Sequence, residues 1–431
     1  MNLARFKTLI LSVLVMLSVV LSYMLWHGNW STTTEVGLSA LPTLPAALSP
    51  VSSDVTRPYQ IVVRQARPAH TALALPSSQE YTAWIRRLGT LSLTGLHQVP
   101  QWTMPAGADA LECDFGLPLT MHELLPWIPG LENSTFSVKA SSVILYQASA
   151  ASPVNLVLTS PSGSFIAETD VAGKQFEAWI NSDENQPGWQ AWNAANADYV
   201  PSSNVTMPRM VYQTNSASVM PLVDSFFVNP QAVTRIQESK QSVIWTDGSR
   251  AVRWDQGQSG LTFEDPNVSA VSPTGVSNLE TAMAYIRAHG GSPKDAVLFS
   301  ETSFFNGDNT QTYTLQSYVD GYPILDALGN YTIELENGHV LRYHRPLLEL
   351  KSRIQTQQVP LLTGAQLQGI LHKLTPTTPL QSLTVQLGYV TEQDGPNQVM
   401  LVPAYSISQS GIALWSLDAV TGTVIKGMGA Q

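Results

Sequence analysis

The residues that could do chemistry are scattered along this chain and do not form a known catalytic motif. His122 and Glu123 lack the second histidine of HExxH, so the zinc-protease pattern is absent. The GxSxG nucleophile elbow, the SxxK pattern, the Walker A loop and GxGxxG are absent as well. The sequence therefore predicts no catalytic residues, no cofactor and no enzymatic activity.

Metal binding is equally poorly supported by the spacing of the candidate ligands. His339 and His344 lie five residues apart on a predicted strand, so their side chains should face opposite sides of the pleat. The single cysteine, Cys113, can form neither an internal disulfide nor a CxxC site, and we expect it to be buried as a small apolar group. The sequence therefore predicts no metal site.

Carboxylates are the remaining candidates for catalysis. Five aspartates stand beside glycine or in turn-like contexts, where aspartate commonly bonds the nearby backbone. They are Asp247, Asp320, Asp326, Asp394 and Asp418. A glycosidase needs two carboxylates at a set separation across a cleft, and the sequence leaves such a pair open. A hydrolase that uses Asp247 or Asp418 is therefore a rival interpretation.

The composition describes a folded, weakly charged protein. Of the 431 residues, 44% are hydrophobic, which is enough for real cores, and 13% are charged, compared with about 25% in an average protein. The net charge is −10 and lysine and arginine form no cluster. Nucleic-acid binding normally requires a basic patch, so we expect no nucleic-acid partner.

An uncharged stretch near the N-terminus predicts a membrane helix at residues 8–26. Its 19 residues are long enough to cross the hydrocarbon core, which is about 30 Å thick. Arg5 and Lys7 precede it and the next basic residue is Arg57, so the positive-inside rule makes residues 1–7 a cytoplasmic tail. We expect the rest of the chain to be extracytoplasmic. A cleaved signal peptide is the rival interpretation, but its apolar region would be shorter and followed by a small-residue cleavage site.

One face of this predicted helix could contact another membrane helix. Ser18 and Ser22 are four residues apart, a small-xxx-small pattern that lets two helices approach closely. The alternative is that these serines only bond their own backbone. The predicted interaction face comprises Leu11, Val15, Ser18, Ser22 and Leu25.

Beyond the membrane helix the pattern predicts a linker at 27–58 and three α+β domains. Their predicted boundaries are 59–204, 205–350 and 351–431. The linker is rich in Ser, Thr, Pro and Leu and has no clear period. The first domain should begin with a strand at 59–63, followed by a helix opened by the capping-box spacing of Ser77 and Glu80. Further strands and a second short helix complete this domain.

The last two domains share an order of elements. Ser277 and Glu280 form a capping-box pattern that opens a helix ending at His289, and antiparallel strands follow, including a hairpin at Asn337-Gly338. A second helix at 363–374 is again followed by three strands. We therefore predict two related modules, each with one helix across an antiparallel sheet.

Several short motifs in this chain resemble the YycH family. They are Phe226-Phe227-Val228-Asn229-Pro230, the run from Ile244 to Arg250, Gly321-Tyr322-Pro323-Ile324, Asn337-Gly338, Leu387-Gly388-Tyr389 and Pro403-Ala404-Tyr405. The closing run from Leu417 to Gly422 looks like the end of a PepSY-type module. The last 230 residues or so are also similar in pattern to the sister family YycI. The resemblance covers nearly the full length and is weakest in the first domain.

The resemblance implies a regulatory function without catalysis. YycH proteins are accessory regulators of an essential cell-wall sensor kinase in Firmicutes, called WalK or YycG. By this resemblance, the expected partners are that kinase and a YycI-like protein, contacted through the membrane helix and the outer domains. The alternative function is an extracytoplasmic binding module for cell-wall fragments or peptides, for which Trp189 and Trp192 could supply an exposed aromatic groove.

Overall fold

The computed structural model describes most of the chain beyond residue 54. The described residues are 16, 18, 55–132, 139–160, 163–182, 186–193, 198–216, 218–255, 260–267, 277–293, 295–305, 309–395 and 397–427. Met16 and Ser18 are helical, and the rest of the predicted membrane helix 8–26 lies outside these ranges, together with Leu11, Val15, Ser22 and Leu25. Within the described part of the chain, no helix is both long enough and apolar enough to cross a membrane.

The first sheet has seven antiparallel strands in the order β2-β1-β4-β5-β6-β7-β3. They are β1 Gln60–Ala66, β2 Ala69–Ala74, β3 Leu93–Val99, β4 Asp109–Thr120, β5 Lys139–Gln147, β6 Val154–Ser160 and β7 Gly163–Thr169. Three helices belong to the same region, namely α1 Gln79–Leu88, α2 Met121–Leu124 and α3 Gly173–Asn181. Val55 and Thr56, at the end of the predicted linker, are already buried.

Helix α1 forms where the sequence predicted it, but its N-cap is one residue later. Ser78 is the N-cap and accepts a hydrogen bond from the Tyr81 amide. Ser77 has a φ of 77° and does not cap the helix, so the predicted capping box with Glu80 is wrong. Helix α1 buries Tyr81, Trp84 and Leu88, which lie three to four residues apart on one face of the helix. We attribute the start of the helix at Ser78 to the packing of this face.

The second sheet has eight antiparallel strands in the order β11-β12-β13-β14-β20-β19-β16-β15. Before it, the chain forms a small ribbon of β8 Trp189–Ala191 and β9 Tyr199–Pro201, then the long β10 Thr206–Ser216 and helix α4 Val219–Ser225. The first strands of the sheet are β11 Thr234–Gln237, β12 Ser242–Thr246, β13 Ala251–Asp255 and β14 Gly260–Glu264. Helix α5, Asn278–Ala288, and strands β15 Val297–Phe305 and β16 Asn309–Gln316 follow. A two-stranded hairpin, β17 Tyr318–Val319 and β18 Tyr322–Pro323, precedes β19 Asn330–Glu336 and β20 His339–Pro346.

Helix α5 confirms the predicted local signals. Ser277 and Glu280 form the capping box, and His289 ends the helix before two glycines in the left-handed region. Asn337 and Gly338 both have positive φ, as the predicted two-residue hairpin turn requires.

The third sheet is built around the C-terminal strands. Its strands are β10, β21 Leu348–Pro360, β22 Leu383–Gly395, β23 Gln398–Gln409, β24 Ile412–Asp418 and β25 Val424–Gly427. Helix α6, Gly364–Leu374, starts at the capping box of Thr363 and Gln366 and buries Leu367 and Leu371 against this sheet. The predicted order of one helix followed by antiparallel strands is therefore present twice. The PepSY-like character of these modules stays a prediction.

Mixed helices and sheets confirm the α+β class, but the sheets recruit strands from distant parts of the chain. Strand β10 pairs with β21 and β23 and so belongs to the third sheet. The first and second sheets share one hydrophobic core, and the third sheet has its own core, into which Val62 and Trp189 also project. The boundaries 59–204, 205–350 and 351–431 stay a prediction.

Candidate functional site

The hairpin β17–β18 lies where the three sheets meet. Its turn places Asp320 and Gly321 at φ values of 48° and 83°. A Cβ atom on Gly321 would lie 2.5 Å from the Pro76 carbonyl oxygen, so only glycine lets the turn approach the first sheet this closely. The local sequence thus encodes the turn, and its glycine permits the contact between distant segments.

The segment directly after this hairpin is joined to the third sheet by backbone and side-chain hydrogen bonds. The Leu325 amide donates to the Tyr389 carbonyl over 2.8 Å. Asp326 accepts hydrogen bonds from the amide and hydroxyl of Thr391 over 2.7 and 2.6 Å. A Cβ atom on Gly388 would overlap the Pro323 carbonyl oxygen. The junction therefore holds the second and third regions together through several short contacts.

A small crevice lies beside this hairpin. Its volume is about 120 Å³, all three regions contribute to its lining, and the first two contribute aromatic side chains. These aromatic residues are Tyr59, Trp189, Tyr199, Phe299, Tyr318 and Tyr322. The crevice is too small for most ligands, since small-molecule pockets typically measure about 300–1,000 Å³.

A larger cavity lies on the other side of Tyr318, with a volume of about 490 Å³. It is bordered by the loop after α5, the hairpin β17–β18 and the beginning of β21. Apolar side chains form much of its wall, including Val319, Ile324, Leu328, Leu348 and Leu350. This volume is within the range of ordinary small-molecule sites.

Arg345 is the buried charged group of this larger cavity. Only 4% of the residue is exposed, and its Nη1 atom donates to the His289 carbonyl at the end of α5 over 2.6 Å. Its guanidinium carbon lies 5.7 Å from the centroid of the Tyr331 ring. Among the residues that the structure describes, no carboxylate forms an ion pair with it. The helix C-terminus offsets part of this buried positive charge.

His289 lies between this arginine and the core of the second sheet. Its ring stacks on Phe226 with centroids 4.2 Å apart, and its Nδ1 atom is 2.9 Å from the Ser225 hydroxyl. Burial, and next the charge of Arg345, lower the pKa of His289 to about 3. The imidazole is therefore neutral at ordinary pH and acts as a packed polar ring rather than as a cation.

A second buried ionisable group, Asp114, lies in the first sheet. Asp114 is 4% exposed, and its Oδ2 atom accepts a hydrogen bond from Gln60 over 2.8 Å. Burial, and next the nearby charge of Glu112, raise the pKa of Asp114 to about 7. The positive charge that acts on Asp114 is that of Arg64, and Arg64 already forms an ion pair with Glu112 over 2.6 Å. Asp114 therefore keeps its proton at a pH where most carboxyls have lost theirs.

The sequence-predicted aspartates are dispersed. Asp247 lies in a turn of the second sheet and accepts hydrogen bonds from the amides of Ser249 and Arg250. Asp418 lies in the third sheet, where it accepts from two turn amides and pairs with Arg209 over 2.9 Å. Both therefore have the structural role that the turn context predicted.

Asp320 and Asp326 are the aspartates that the fold brings to the junction. Asp320 pairs with Arg353 over 2.7 Å and lines the larger cavity, and Asp326 bonds Thr391. Asp394 lies near the end of β22.

The predicted tryptophan groove is largely filled by the protein itself. Trp189 is buried at 6% exposure, and the Trp192 indole donates to the Leu383 carbonyl over 3.1 Å. Cys113 is buried at 1% exposure, and burial raises the pKa of its thiol well above the ordinary value. No group of three metal-ligating side chains occurs within the described ranges.

Sequence reasoning missed Asp114 and Arg345. Asp114 lies between the buried Cys113 and Phe115 in β4, and Arg345 precedes the buried Pro346 in β20. Both strands also carry half-buried or exposed charged residues, such as Glu112 and Arg342, so no local sequence signal distinguished these two.

Three antiparallel sheets joined at a central hairpin, with cavities at the joint, define an α+β protein of multi-sheet architecture. The chain belongs to the YycH family: the family model for the YycH protein, C-terminal domain, matches residues 195–409. This family consists of regulatory accessory proteins, and membership supports a regulatory role of the YycH type. No curated protein matches the chain in sequence.

Comparison with solved structures agrees on the fold. The crystal structure of YycH from Bacillus subtilis is similar with a TM-score of 0.63 at 14% sequence identity, covering 85% of this chain and 97% of that chain. An uncharacterized protein from Eubacterium rectale gives a TM-score of 0.34 at 11% identity over 51% of this chain and 86% of that chain, too low to support an inference.

The motifs that carried the resemblance are structural junctions. Phe226 lies in the aromatic core around α5, Gly321 and Gly388 permit the close approaches at the hairpin, and the Tyr405 hydroxyl donates to the Leu362 carbonyl before α6. Short turn-rich motifs are therefore informative here because they hold the three regions together.

Proposed function

We propose that this protein is a membrane-anchored, extracytoplasmic regulator of the cell-wall sensor kinase WalK (YycG). It acts through protein–protein contacts with the kinase and with a YycI-like partner. The observation that carries this proposal is the match of the family model to residues 195–409. The fold, similar to that of YycH from Bacillus subtilis over most of both chains, adds support.

The mechanism is a shift of population in the kinase. A partner changes the output of a two-state kinase only if it binds the two states with different affinity. A coupling free energy of about 1–3 kcal/mol would change the balance by about 5–150-fold. Contacts of ordinary strength through the membrane helix and the outer domains are therefore sufficient.

The location is proposed from the sequence. The uncharged segment 8–26, preceded by Arg5 and Lys7, supports a single membrane crossing with residues 1–7 in the cytoplasm. Residues from 27 onward would then stand outside the membrane beside the outer part of the kinase.

Co-purification from membranes tests the proposed partners. We expect the full-length chain, tagged at its C-terminus, to bring down both the kinase and the YycI-like protein from detergent extracts. The matched control carries an unrelated single-pass helix in place of residues 8–26. Capture of neither partner by the native chain, with the tagged protein intact in the membrane, would refute the proposal.

The predicted helix face gives a specific expectation for lateral contact. Replacing Ser18 and Ser22 with isoleucine should lower helix association in a membrane two-hybrid assay by about threefold or more, because interhelical contacts in membranes contribute roughly 0.6–2 kcal/mol. The larger side chains would prevent close approach of the two backbones. The control, Val13→Ile with Val20→Ile, adds bulk to the opposite helix face and should leave the signal unchanged. Equal signals from both double variants would remove this face from consideration.

A further inference from the structure

An open groove of about 420 Å³ lies between helix α6 and the loop that follows it. Gln368 and His372 of α6 form one side, the loop at 376–381 forms another, and Trp192 completes the lining. The groove shares no lining residue with the two cavities at the joint of the sheets. Its volume is within the range of small-molecule sites, so it can be assessed as a separate binding site.

Hydrogen bonds hold the walls of this groove in place. The Trp192 indole N–H donates to the Leu383 carbonyl over 3.1 Å, and the Asn193 side chain donates to the Gln381 carbonyl over 2.6 Å. The loop at 376–381 also contains two prolines, which restrict its backbone. Walls that are already ordered reduce the entropy lost when a ligand binds.

The lining of this groove is polar but carries little charge. Among its described lining residues there is no lysine, arginine, aspartate or glutamate, and polar atoms form most of the accessible wall. Within the described part of the chain, no protein group hydrogen-bonds the side chains of Gln368, His372 or Gln381. Amide and imidazole groups can both donate and accept hydrogen bonds, as the hydroxyl groups of a sugar do. The polar wall therefore matches an uncharged ligand that is rich in hydroxyl groups.

Trp192 adds an apolar surface to this polar wall. The residue is half-buried, packs against the core of the third sheet and borders the groove. A sugar ring has an apolar face of C–H groups that can pack on a flat aromatic ring. A proline-rich peptide is the alternative ligand, but such peptides dock in grooves lined by several aromatic rings, and Trp192 is the one aromatic residue in the described lining.

We propose that this groove binds a neutral oligosaccharide. One sugar ring packs on Trp192, and its hydroxyl groups bond the side chains of Gln368, His372 and Gln381. The site differs from the tryptophan groove that the sequence suggested, because Trp189 is buried and α6 supplies the polar side chains instead. It goes beyond the proposed contacts with the kinase and does not depend on them.

The test titrates the full-length chain with chitotriose and with maltotriose, two neutral sugars, and follows binding by calorimetry. The chain is kept in a detergent without a sugar head group, because such head groups would compete for the groove. We expect saturable binding of at least one of these sugars at millimolar concentration. A decaproline peptide is the rival probe. No saturable binding of either sugar, or saturable binding of decaproline alone, would overturn the proposal.

Gln368→Ala is the decisive variant because Gln368 is exposed on α6 and its side chain bonds no other described group. We expect sugar binding to weaken about fivefold, since a hydrogen bond to the ligand is lost, while the melting temperature stays the same. Gln357→Ala is the matched control: it removes an exposed glutamine of β21 that does not line the groove, and it should leave binding unchanged.

Two variants of Trp192 address the aromatic surface. Trp192→Ala should weaken sugar binding about tenfold or more, and Trp192→Phe, which keeps a flat ring, should weaken it less. Thermal melting of both variants shows whether they are folded. Sugar binding by Gln368→Ala and Trp192→Ala that equals that of Gln357→Ala would show that the sugar binds elsewhere and would refute the assignment.

Discussion

Replacing Asp114 with asparagine is expected to make the protein more stable at about pH 8 and to change its stability little at about pH 4. The carboxyl group has a pKa of about 7 in the folded protein, chiefly because it is buried, and an ordinary value of about 3.9 when unfolded. The folded state therefore keeps a proton that the unfolded state has already released.

The sign of the effect follows from this order of pKa values. The contribution of Asp114 to stability is fully present below pH of about 4 and is lost as the pH rises through about 7. Above that pH the folded protein must bury a negative charge near Glu112, at a cost of up to about 4 kcal/mol. Asparagine keeps the shape of the side chain without a charge, so most of this cost should disappear.

Urea denaturation, followed by tryptophan fluorescence between about pH 4 and pH 8, measures the difference in the free energy of unfolding between the variant and the parent protein. The matched control is Asp418→Asn, because Asp418 is also largely buried but pairs with Arg209 and accepts from two turn amides. Its loss should lower stability at about pH 8 by about 2 kcal/mol, the opposite sign. If Asp114→Asn were also destabilised there, the surroundings of Asp114 would favour its charged form and our assignment would be wrong.

Replacing Gly116 with alanine is expected to destabilise the protein by about 3 kcal/mol or more. A Cβ atom at this position would lie 2.5 Å from the Leu298 carbonyl oxygen and 2.6 Å from the Phe299 Cα atom. Both are backbone atoms and cannot rotate away as a flexible side chain could. Since Gly116 is in β4 and Leu298 is in β15, the alanine would push the first and second sheets apart.

Thermal and urea denaturation of the full-length chain measure this effect. Gly369→Ala is the matched control, since Gly369 lies on the exposed side of α6 and an added Cβ would meet nothing within 4 Å. Alanine in a helix is more favourable than glycine, so the control should gain about 0.5–1 kcal/mol. A Gly116→Ala variant as stable as the parent would show that the two sheets are not closely packed at this point.

The close backbone contact at Gly116 bears on how a regulator with this fold would work. If close contacts at Gly116, Gly321 and Gly388 hold the three sheets together, a partner that binds one sheet can change the conformation of another sheet.

The sequence by itself determined the local elements. The capping box of Ser277 and Glu280, the hairpin turn at Asn337-Gly338 and the helix at 363–374 were all predicted and confirmed. Each depends on a few consecutive residues, so their spacing is enough. Two adjacent serines, Ser77 and Ser78, could each cap α1, and the local sequence does not decide between them. The packing of Trp84 and Leu88 in the folded protein selects Ser78 as the N-cap.

The tertiary structure alone decided which distant segments meet. Thr206 pairs with Pro360 in the third sheet, and residues from Tyr212 to Thr391 line one cavity. Strand pairing at such separations depends on the packing of whole sheets, which no local period encodes. The same packing buried Asp114 and Arg345, although charged side chains usually lie at the surface, because hydrogen bonds and a helix terminus partly offset the cost.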